Sequence, residues 1–441
     1  MSARESGSRH RIRESGGRRA GAILLLGLAV LGTAMGCARV PLAPLDAQQS
    51  TASLADDEAY LWKQTRETQF EIESSGLVLE DPAMDAYLAR VLARVTPSSL
   101  VEAGVTPRVQ VISDVAMHGY SFANGVIYLH VGLLARMTDE TQLATVLTRE
   151  LAHVIHRHAL VLRRDAKGRA DAMAWIGVGS SLSSYGGGAK MLAQAYSIST
   201  AVMLPQDLEV KADEEGLGLL AAAGYDVKAT PDFFQMTLDY RKELHQQGPL
   251  AWMPYVAPPF VTGRITNYRQ LLGTRFSGGN RVEPPIADPA TFRRNVHPAT
   301  RRQAELELAA GVFRSAERTA KLATESDPSD AQAWVLLGRA LQGQRDKPMN
   351  GYEVPSIHRV REAYEHALEL DPRDAAATRE LGLSYYRKTS RVRAPEASRA
   401  ALAHFRRYLA LAPGATDEAY IRATSRSSRR KDGGGPVDED R

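Results

Sequence analysis

The chain has 441 residues, of which 44% are hydrophobic and 24% are charged, proportions typical of an ordinary soluble globular protein with two or three domains. The net charge of +4 is modest, and much of the basic excess lies in the termini. We therefore do not interpret this charge as a nucleic-acid-binding surface. Cys37 is the only cysteine, so no internal disulfide can form.

Residues 1–37 are predicted to be a targeting segment. Several arginines precede an apolar run from Ala20 to Met35, which is too short and too rich in small residues for a comfortable transmembrane helix. The run ends in Ala34-Met35-Gly36-Cys37, which resembles a bacterial lipobox, whose cysteine becomes the lipidated first residue of the mature protein. Ala34 departs from the usual Leu, so an ordinary export signal with a chance cysteine is the alternative.

The residues beside the two termini complete this prediction. Ala38 is not the Asp that tends to retain lipoproteins in the inner membrane, so the lipobox resemblance favours the outer membrane, facing the periplasm. Residues 38–55 are rich in Pro, Ala and Gln and are predicted to be a linker. Residues 425–441 lack the apolar side chains needed for packing and are predicted to be a disordered tail.

The first folded domain is predicted over residues 56–297. It opens with a helical pattern from Asp56 to about Val95 and continues with a strand at Val109–Ile112. A hairpin follows, because the strand-like segments Tyr120–Phe122 and Val126–His130 flank Asn124-Gly125, a strong turn signal.

A long helix is predicted next, from a cap at Thr138-Asp139-Glu140 to about Arg164. It contains Arg149-Glu150-Leu151-Ala152-His153, one side chain away from the pattern His-Glu-x-x-His. In that pattern the two histidines share one helical face and hold Zn²⁺, and the glutamate is the general base. Arg149 stays protonated and has no lone pair to give a metal.

A second helix, starting near Pro205 and ending at Gly224-Tyr225-Asp226, carries Glu209 and Asp213. These carboxylates are four residues apart and share one helical face, where like charges repel. Either a cation lies between or beside them, or the face is solvated. The spacing alone favours the solvated face.

Residues 298–424 are predicted to form helical repeats. The segment is rich in Ala, Leu and Arg, and Leu337-Gly338 recurs as Leu381-Gly382 with a period of 44 residues, from 338 to 382. Tetratricopeptide repeats have a period of about 34, and the excess of ten fits an insertion at Arg345–Pro355 between the helices of one repeat. An irregular helical bundle is the alternative.

In order and spacing, these motifs resemble the gluzincin zinc endopeptidase family that includes the CAAX prenyl protease and the periplasmic β-barrel-assembly-enhancing protease. The resemblance covers about residues 56–275 and is carried by His118–Gly125, by 132–158 and by Glu209–Asp226. A helical array after the protease domain is the arrangement of the β-barrel-assembly relative. The implied fold class is α+β: a mostly helical metallopeptidase-like domain with a small hairpin or sheet, then an α-helical, tetratricopeptide-like solenoid.

The resemblance also implies roles for individual residues. His153 and Glu209 would be zinc ligands, Glu150 the general base if the protein is active, and Asp213 and Arg264 supports of the site; His118, Tyr120 and Phe122 would lie on the substrate edge strand. The chain departs from the family where the chemistry lies: Arg149 replaces the first ligand, His118 replaces an Asn, and Pro258-Pro259 stands where Thr-His-Pro is frequent. Two protein ligands are too few for a catalytic zinc, which needs three plus a water.

Two substitutes for the missing ligand can be considered. His156 could chelate a metal with His153 at i, i+3, one turn away from Glu150, while His158 is expected to point elsewhere and to be structural. Alternatively, the Arg149 guanidinium could form a bidentate pair with Glu209, so that a side chain replaces the metal as the neutralising cation.

Two hypotheses on function follow. The favoured one is a non-catalytic assembly or quality-control factor of the bacterial envelope, which binds envelope proteins or unfolded polypeptide through the cleft and the repeat groove. The other is an active zinc metalloendopeptidase with an altered ligand set. Zinc is expected only if the protein is active, and otherwise no cofactor. A lipid anchor at Cys37 would attach the protein to a membrane, and no nucleic-acid partner is expected.

Overall fold

The computed structural model describes residues 42–46, 51, 54–168, 204–246, 261–284, 286–389 and 395–431. Cys37 and Pro258-Pro259 lie outside these residues, so the predictions made for them are not examined by the fold. Among the described helices, none is long and apolar enough to cross a membrane.

The amino-terminal helical pattern forms two helices, α1 (Asp56–Ser74) and α2 (Pro82–Val95), where the periodicity predicted one continuous helical stretch. An extended segment separates them, in which Val78 forms an antiparallel bridge with Ile112. The Asp81 side chain accepts hydrogen bonds from the first backbone N–H groups of α2 and caps it. A short helix, α3 (Ser98–Glu102), follows.

A three-stranded sheet comes next, with β1 (Arg108–Ile112), β2 (Gly119–Ser121) and β3 (Val126–His130) in the order β1-β3-β2. β1 pairs with β3 in parallel, and β2 pairs with β3 antiparallel. The predicted hairpin is confirmed, and its turn uses Gly125 at a φ of +87°, in the left-handed region that suits glycine. The sheet leads into a short helix, α4 (Val131–Leu134).

The predicted long helix is wrong in one respect, because it consists of α5 (Glu140–Ile155) and α6 (His158–Gly168). Between them Arg157 has a φ of +56°. Its guanidinium donates to the buried Glu58 carboxylate, with Nε 2.9 Å from Oε1. The Leu45 N–H donates to the Ile155 carbonyl at 2.8 Å. Contacts with α1 and with the amino-terminal segment therefore stabilise this turn, although the apolar periodicity of the sequence predicts one continuous helix here.

The remaining elements of this domain are α7 (Gln206–Ala222), α8 (Thr230–Gln246) and α9 (Val261–Thr274). α7 packs directly against α5, and Gly216 permits the close approach, because a Cβ there would lie 3.1 Å from the Arg149 Cα. This contact brings the backbones of the two charge-bearing helices together.

Within the described residues from 289 to 431, eight helices follow, each packed against the next. They are α10 (Pro289–Asn295), α11 (His297–Ala309), α12 (Phe313–Ser326), α13 (Ala331–Asp346), α14 (Ile357–Leu370), α15 (Ala375–Thr389), α16 (Pro395–Leu411) and α17 (Glu418–Lys431). The disordered tail was predicted to start too early, because α17 runs to Lys431. Ile421 and Thr424 are buried and hold the start of this helix in place.

The array repeats at the level of side-chain packing. Gly338 on α13 faces the Tyr364 ring, and Gly382 on α15 faces the Phe405 ring in the same way. The predicted insertion falls between α13 and α14, the two helices of one pair. These features agree with a solenoid-like arrangement, and the more specific tetratricopeptide assignment stays a prediction.

The array is joined to the first domain without an open linker at 297/298. Phe292, Val296 and Ala299 belong to the core of the first domain. Arg136 at the end of α4 donates to Glu307 of α11 at 2.6 Å and to Ser315 of α12 at 2.7 Å. The 297/298 domain boundary stays a prediction.

The glycine packing in the array leads to a stability prediction. A Cβ at Gly338 would lie 2.4 Å from the Tyr364 ring, so Gly338→Ala should destabilise the protein by about 1–3 kcal/mol in chemical denaturation. The matched control is Gly273→Ala on α9, where nothing lies within 4 Å; it should be neutral or stabilise by up to about 1 kcal/mol. Equal effects of both substitutions would contradict this packing.

Candidate functional site

The candidate site lies where α5, α7 and α9 meet beside β2. α5 contributes Arg149 and Glu150, α7 contributes Glu209 and Asp213, and α9 contributes Arg264. The i, i+4 spacing on α7 presents both carboxylates to α5. The structure therefore brings together five residues singled out in the sequence, in one cluster of two guanidinium and three carboxylate groups.

Arg149 lies at the centre of this cluster. Its Nη1 is 2.6 Å from Glu150 Oε1, its Nη2 is 2.5 Å from Glu209 Oε2, and its Nε is 3.6 Å from Asp213 Oδ1. The expected Arg149–Glu209 contact is present, but the bidentate geometry is wrong. The two ends of the guanidinium bind different carboxylates, so Arg149 bridges α5 and α7.

The bidentate pair is formed instead by Arg264 and Asp213. Arg264 Nε donates to Asp213 Oδ2 at 2.8 Å, and Nη2 donates to Oδ1. Arg264 Nη1 also lies 3.2 Å from Glu209 Oε2, and its guanidinium lies 4.4 Å from the centre of the Phe234 ring. Tyr268 OH donates to Asp213 Oδ1 at 3.1 Å, a contact that the sequence did not reveal.

The prediction that Glu209 and Asp213 lie on a solvated face is wrong. Glu209 is 6% exposed and Asp213 is fully buried. Burial alone would raise the pKa of Glu209, but Arg149 and Arg264 outweigh it and hold that pKa below its usual value. For Asp213, burial outweighs the attraction of Arg264, and its pKa is raised.

Both arginines stay charged in this interior. Burial acts to lower the pKa of Arg149, but the carboxylates of Glu209, Glu150 and Asp213 raise it above the usual value. The pKa of Arg264 is raised as well, because Asp213 and Glu209 outweigh burial and repulsion from Arg149. The cluster is consequently a set of ion pairs whose two cations stay charged.

Glu150, the residue in the general-base position, is engaged at both carboxylate oxygens. Oε1 contacts Arg149, and Oε2 accepts a hydrogen bond of 3.0 Å from the Ser121 hydroxyl of β2. Ser121 also donates to the Glu150 carbonyl at 3.2 Å. Ser121 was missed in the sequence because a buried serine on a short strand has no motif of its own.

The histidines of the α5–α6 turn are arranged differently from the prediction. Nδ1 of His153 lies 2.7 Å from Nδ1 of His158, and the His156 ring stacks on His158 with centroids 5.6 Å apart. The prediction that His158 points elsewhere is wrong, because the break at Arg157 turns His158 back toward α5. The His153–His156 chelate stays a prediction, since His156 N–H still donates to the Ala152 carbonyl at 2.9 Å, as in a helix.

The expected substrate edge strand presents a buried surface. Tyr120 and Phe122 are fully buried, and their rings pack edge-on at 5.8 Å. His118 lies 6.1 Å from the Tyr120 ring and 6.0 Å from the His130 ring. In this structure these side chains form an aromatic core beside the charge cluster. Their assignment to substrate binding stays a prediction.

The donor set does not fit the zinc ion that the motif implies. Arg149 offers no lone pair, and its guanidinium already spans the carboxylates of Glu150 and Glu209. His153 Nε2, 3.9 Å from Glu209 Oε1, would leave only two protein ligands. In the described part of the chain, no group of three or more His, Cys, Asp or Glu side chains is placed to hold a metal ion.

The cluster predicts a large effect of losing its central cation. Arg149→Ala would leave Glu209 beside Asp213 with one cation fewer, and breaking a buried pair in this way costs about 3–5 kcal/mol. Glu209→Gln in the Arg149→Ala background should recover much of the loss. Urea denaturation of the wild type and the two variants measures both effects, and an unchanged Arg149→Ala protein would show that the side chain is not part of a buried cluster.

The half-buried His118 and the buried His158 predict acid sensitivity. Burial, together with neighbouring cations, lowers the pKa of His118 to about 3 and that of His158 to about 3. In the unfolded chain each of the two histidines titrates near pH 6.5. The folded protein is therefore at its full stability above that pH, and stability is lost as the pH falls toward 3, because only the unfolded chain takes up these protons. Each should lower the free energy of unfolding by about 2 kcal/mol between pH 7 and pH 5.

Urea denaturation across this pH range tests the effect of the histidines. His158→Gln should flatten the dependence, whereas His358→Gln, at a histidine whose side chain is 81% exposed, should leave it unchanged. Stability that stays constant between pH 7 and pH 5 would contradict the burial of neutral histidines.

Comparison with known proteins places this geometry in a family context. Residues 82–283 match the family model described as Peptidase family M48. A Vibrio cholerae protein, provisionally named a beta-barrel assembly-enhancing protease, is 28% identical over 199 residues, which cover 44% of this chain and 40% of that protein. The beta-barrel assembly-enhancing protease of Escherichia coli K12 is 27% identical over 176 residues, 38% of this chain and 36% of the relative. The Yersinia pestis protein of the same name is 26% identical over 176 residues, again 38% and 36%. The match thus spans about two fifths of these relatives.

Proposed function

Residues 82–283 belong to peptidase family M48, and from this premise we propose that the protein is a non-catalytic member of the family that binds polypeptide. One observation carries the proposal. The Arg149 guanidinium, in the position of the first metal ligand, bridges the Glu150 and Glu209 carboxylates. A permanent side-chain cation thereby neutralises the residues that would otherwise serve a metal and its water.

The state of Glu150 supports the same conclusion. A general base must have a carboxylate oxygen within reach of the proton that it removes. Both oxygens of Glu150 are engaged, one by Arg149 and the other by Ser121. Within the described residues, the site therefore offers neither a third metal ligand nor a carboxylate oxygen of Glu150 without a partner.

The proposed partners are envelope proteins or unfolded polypeptide. The relatives are named for enhancing β-barrel assembly, and the proposal carries that context to this chain: a role in assembly or quality control in the bacterial envelope. The helical array, which we interpret as tetratricopeptide-like, would supply an extended binding surface. Lipidation at Cys37 would attach the protein to the outer membrane, facing the periplasm.

The alternative is an active zinc metalloendopeptidase. His153, Glu209 and Glu150 favour it, because a ligand pair and a base are present in one buried site. It would require Arg149 to leave the cluster and a third ligand to enter from elsewhere. The ion pairs of Arg149 with two carboxylates oppose that movement.

Metal analysis separates the two functions. We expect the purified wild-type protein to contain far less than one zinc per chain and to leave casein intact. Arg149→His should bind zinc, because it supplies a third ligand beside His153 and Glu209. Arg149→Gln is the matched control, since it removes the charge without adding a ligand, and it should stay zinc-free. Near-stoichiometric zinc in the wild type, or none in Arg149→His, would contradict the proposal.

A further inference from the structure

The sheet has a second edge, at β1, which takes no part in the charge cluster. β1 pairs with β3 on one side only. Its carboxyl-terminal half is covered on the other side by residues 77–79, with Leu79 N–H donating to the Val111 carbonyl at 2.8 Å and Ser113 N–H donating to the Leu77 carbonyl at 2.8 Å. The covering segment then leaves the sheet, and α2 begins at Pro82.

The hydrogen-bond pattern shows which backbone groups this leaves open. Arg108 N–H donates to the Gly125 carbonyl at 3.2 Å, so Arg108 and, by alternation, Gln110 face β3. Val109 therefore faces outward, as Val111 does. Among the described residues the Val109 N–H and C=O have no hydrogen-bond partner. These two groups are available for backbone hydrogen bonding at the edge of the sheet, next to the antiparallel segment that already covers Val111.

A cleft of about 780 Å³ adjoins this open edge. Most of its lining is apolar and comes from α2, α3 and β1, with Val78, Ala89, Leu92, Val101 and Val109 among the lining residues. Val101 is 54% exposed, one of the few large hydrophobic side chains that the described structure leaves open to water. An open strand edge beside an apolar cleft is the combination that an added β-strand requires.

We propose that this cleft binds an extended polypeptide segment, which adds to β1 as a strand and places alternate apolar side chains in the cleft. The open Val109 backbone favours an extended partner, because a helix has its own N–H and C=O groups already paired. The bound segment would continue the antiparallel pairing that residues 77–79 begin. The inference rests on the proposed function only for the class of partner, and it places that partner at a site separate from Arg149.

A backbone-directed peptide experiment tests this proposal. The probe is fluorescein-labelled Lys-Thr-Val-Thr-Val-Thr-Val-Lys, and its binding to the full chain is followed by fluorescence anisotropy. Successive N–H groups of a strand point to opposite sides, so only alternate ones can face β1. Two methylated peptides are compared, one carrying N-methyl groups on all valines and the other on all threonines. The peptide whose methylated nitrogens face β1 should bind about tenfold or more weakly, and the other should bind almost as well as the unmodified probe.

Variants of the chain locate the binding edge. Val109→Pro removes the outward N–H but keeps the hydrogen bonds to β3, which are made by the neighbouring residues, and it should weaken binding by about tenfold. Val109→Ala keeps the N–H and should bind within about threefold of the wild type. Ala93→Arg, at an exposed position lining the cleft, should block it without touching the sheet. Thermal melts confirm that each variant is folded.

Several results would overturn the proposal: no saturable binding to the wild type, equal binding of both methylated peptides, or unchanged binding to Val109→Pro and Ala93→Arg. Concentration-dependent dimers that Val109→Pro abolishes, without peptide binding, would assign the edge to a second copy of the chain instead. Peptide binding is measured on the Val109 and Ala93 variants and zinc content on the Arg149 variants, so failure at this edge and failure of the zinc prediction remain distinguishable.

Discussion

The bridge from Arg149 to Glu150 and Glu209 is the interaction on which the centre of this domain depends. Three carboxylates lie in a nearly water-free interior, and the Arg149 and Arg264 guanidinium groups are the cations that contact them. Unpaired charges are very costly in such an environment, whereas paired and hydrogen-bonded charges can be tolerated. The packing of α5 on α7 therefore requires both arginines.

The same interaction links structure to the proposed loss of catalysis. A metalloprotease holds its helices around a metal, which also supplies the chemistry. In the proposed non-catalytic form, the Arg149 guanidinium is the cation that links the two helices. Gly216 contributes to this arrangement, because its lack of a side chain lets α7 approach the Arg149 backbone, where a Cβ would lie 3.1 Å from the Arg149 Cα. On the proposed function, the fold is kept while ion pairs take the place of a metal centre.

Local patterns predicted the helical stretches over 56–95, 140–164 and 206–222, the hairpin and the sequence position of the array. The contact between Arg149 and Glu209, which are 60 residues apart, was expected from the family resemblance. Burial of Glu209 and Asp213 was not predictable from their spacing, because the cation that pairs with Asp213 is 51 residues away. The break after α5 was missed for the same reason, since Glu58 lies 99 residues from Arg157. The pairing of His153 with His158 follows from that break. Long-range partners of single charged groups thus decided the features that periodicity left open.

The central claim is that the Arg149 guanidinium, and not a metal ion, neutralises the site. Zinc-edge anomalous diffraction from crystals soaked in zinc chloride tests it most directly. We expect no anomalous peak beside His153 Nε2, and electron density that places the Arg149 guanidinium in hydrogen-bond contact with both Glu150 and Glu209. A strong peak about 2.0–2.1 Å from His153 Nε2, with Arg149 displaced from the two carboxylates, would contradict it.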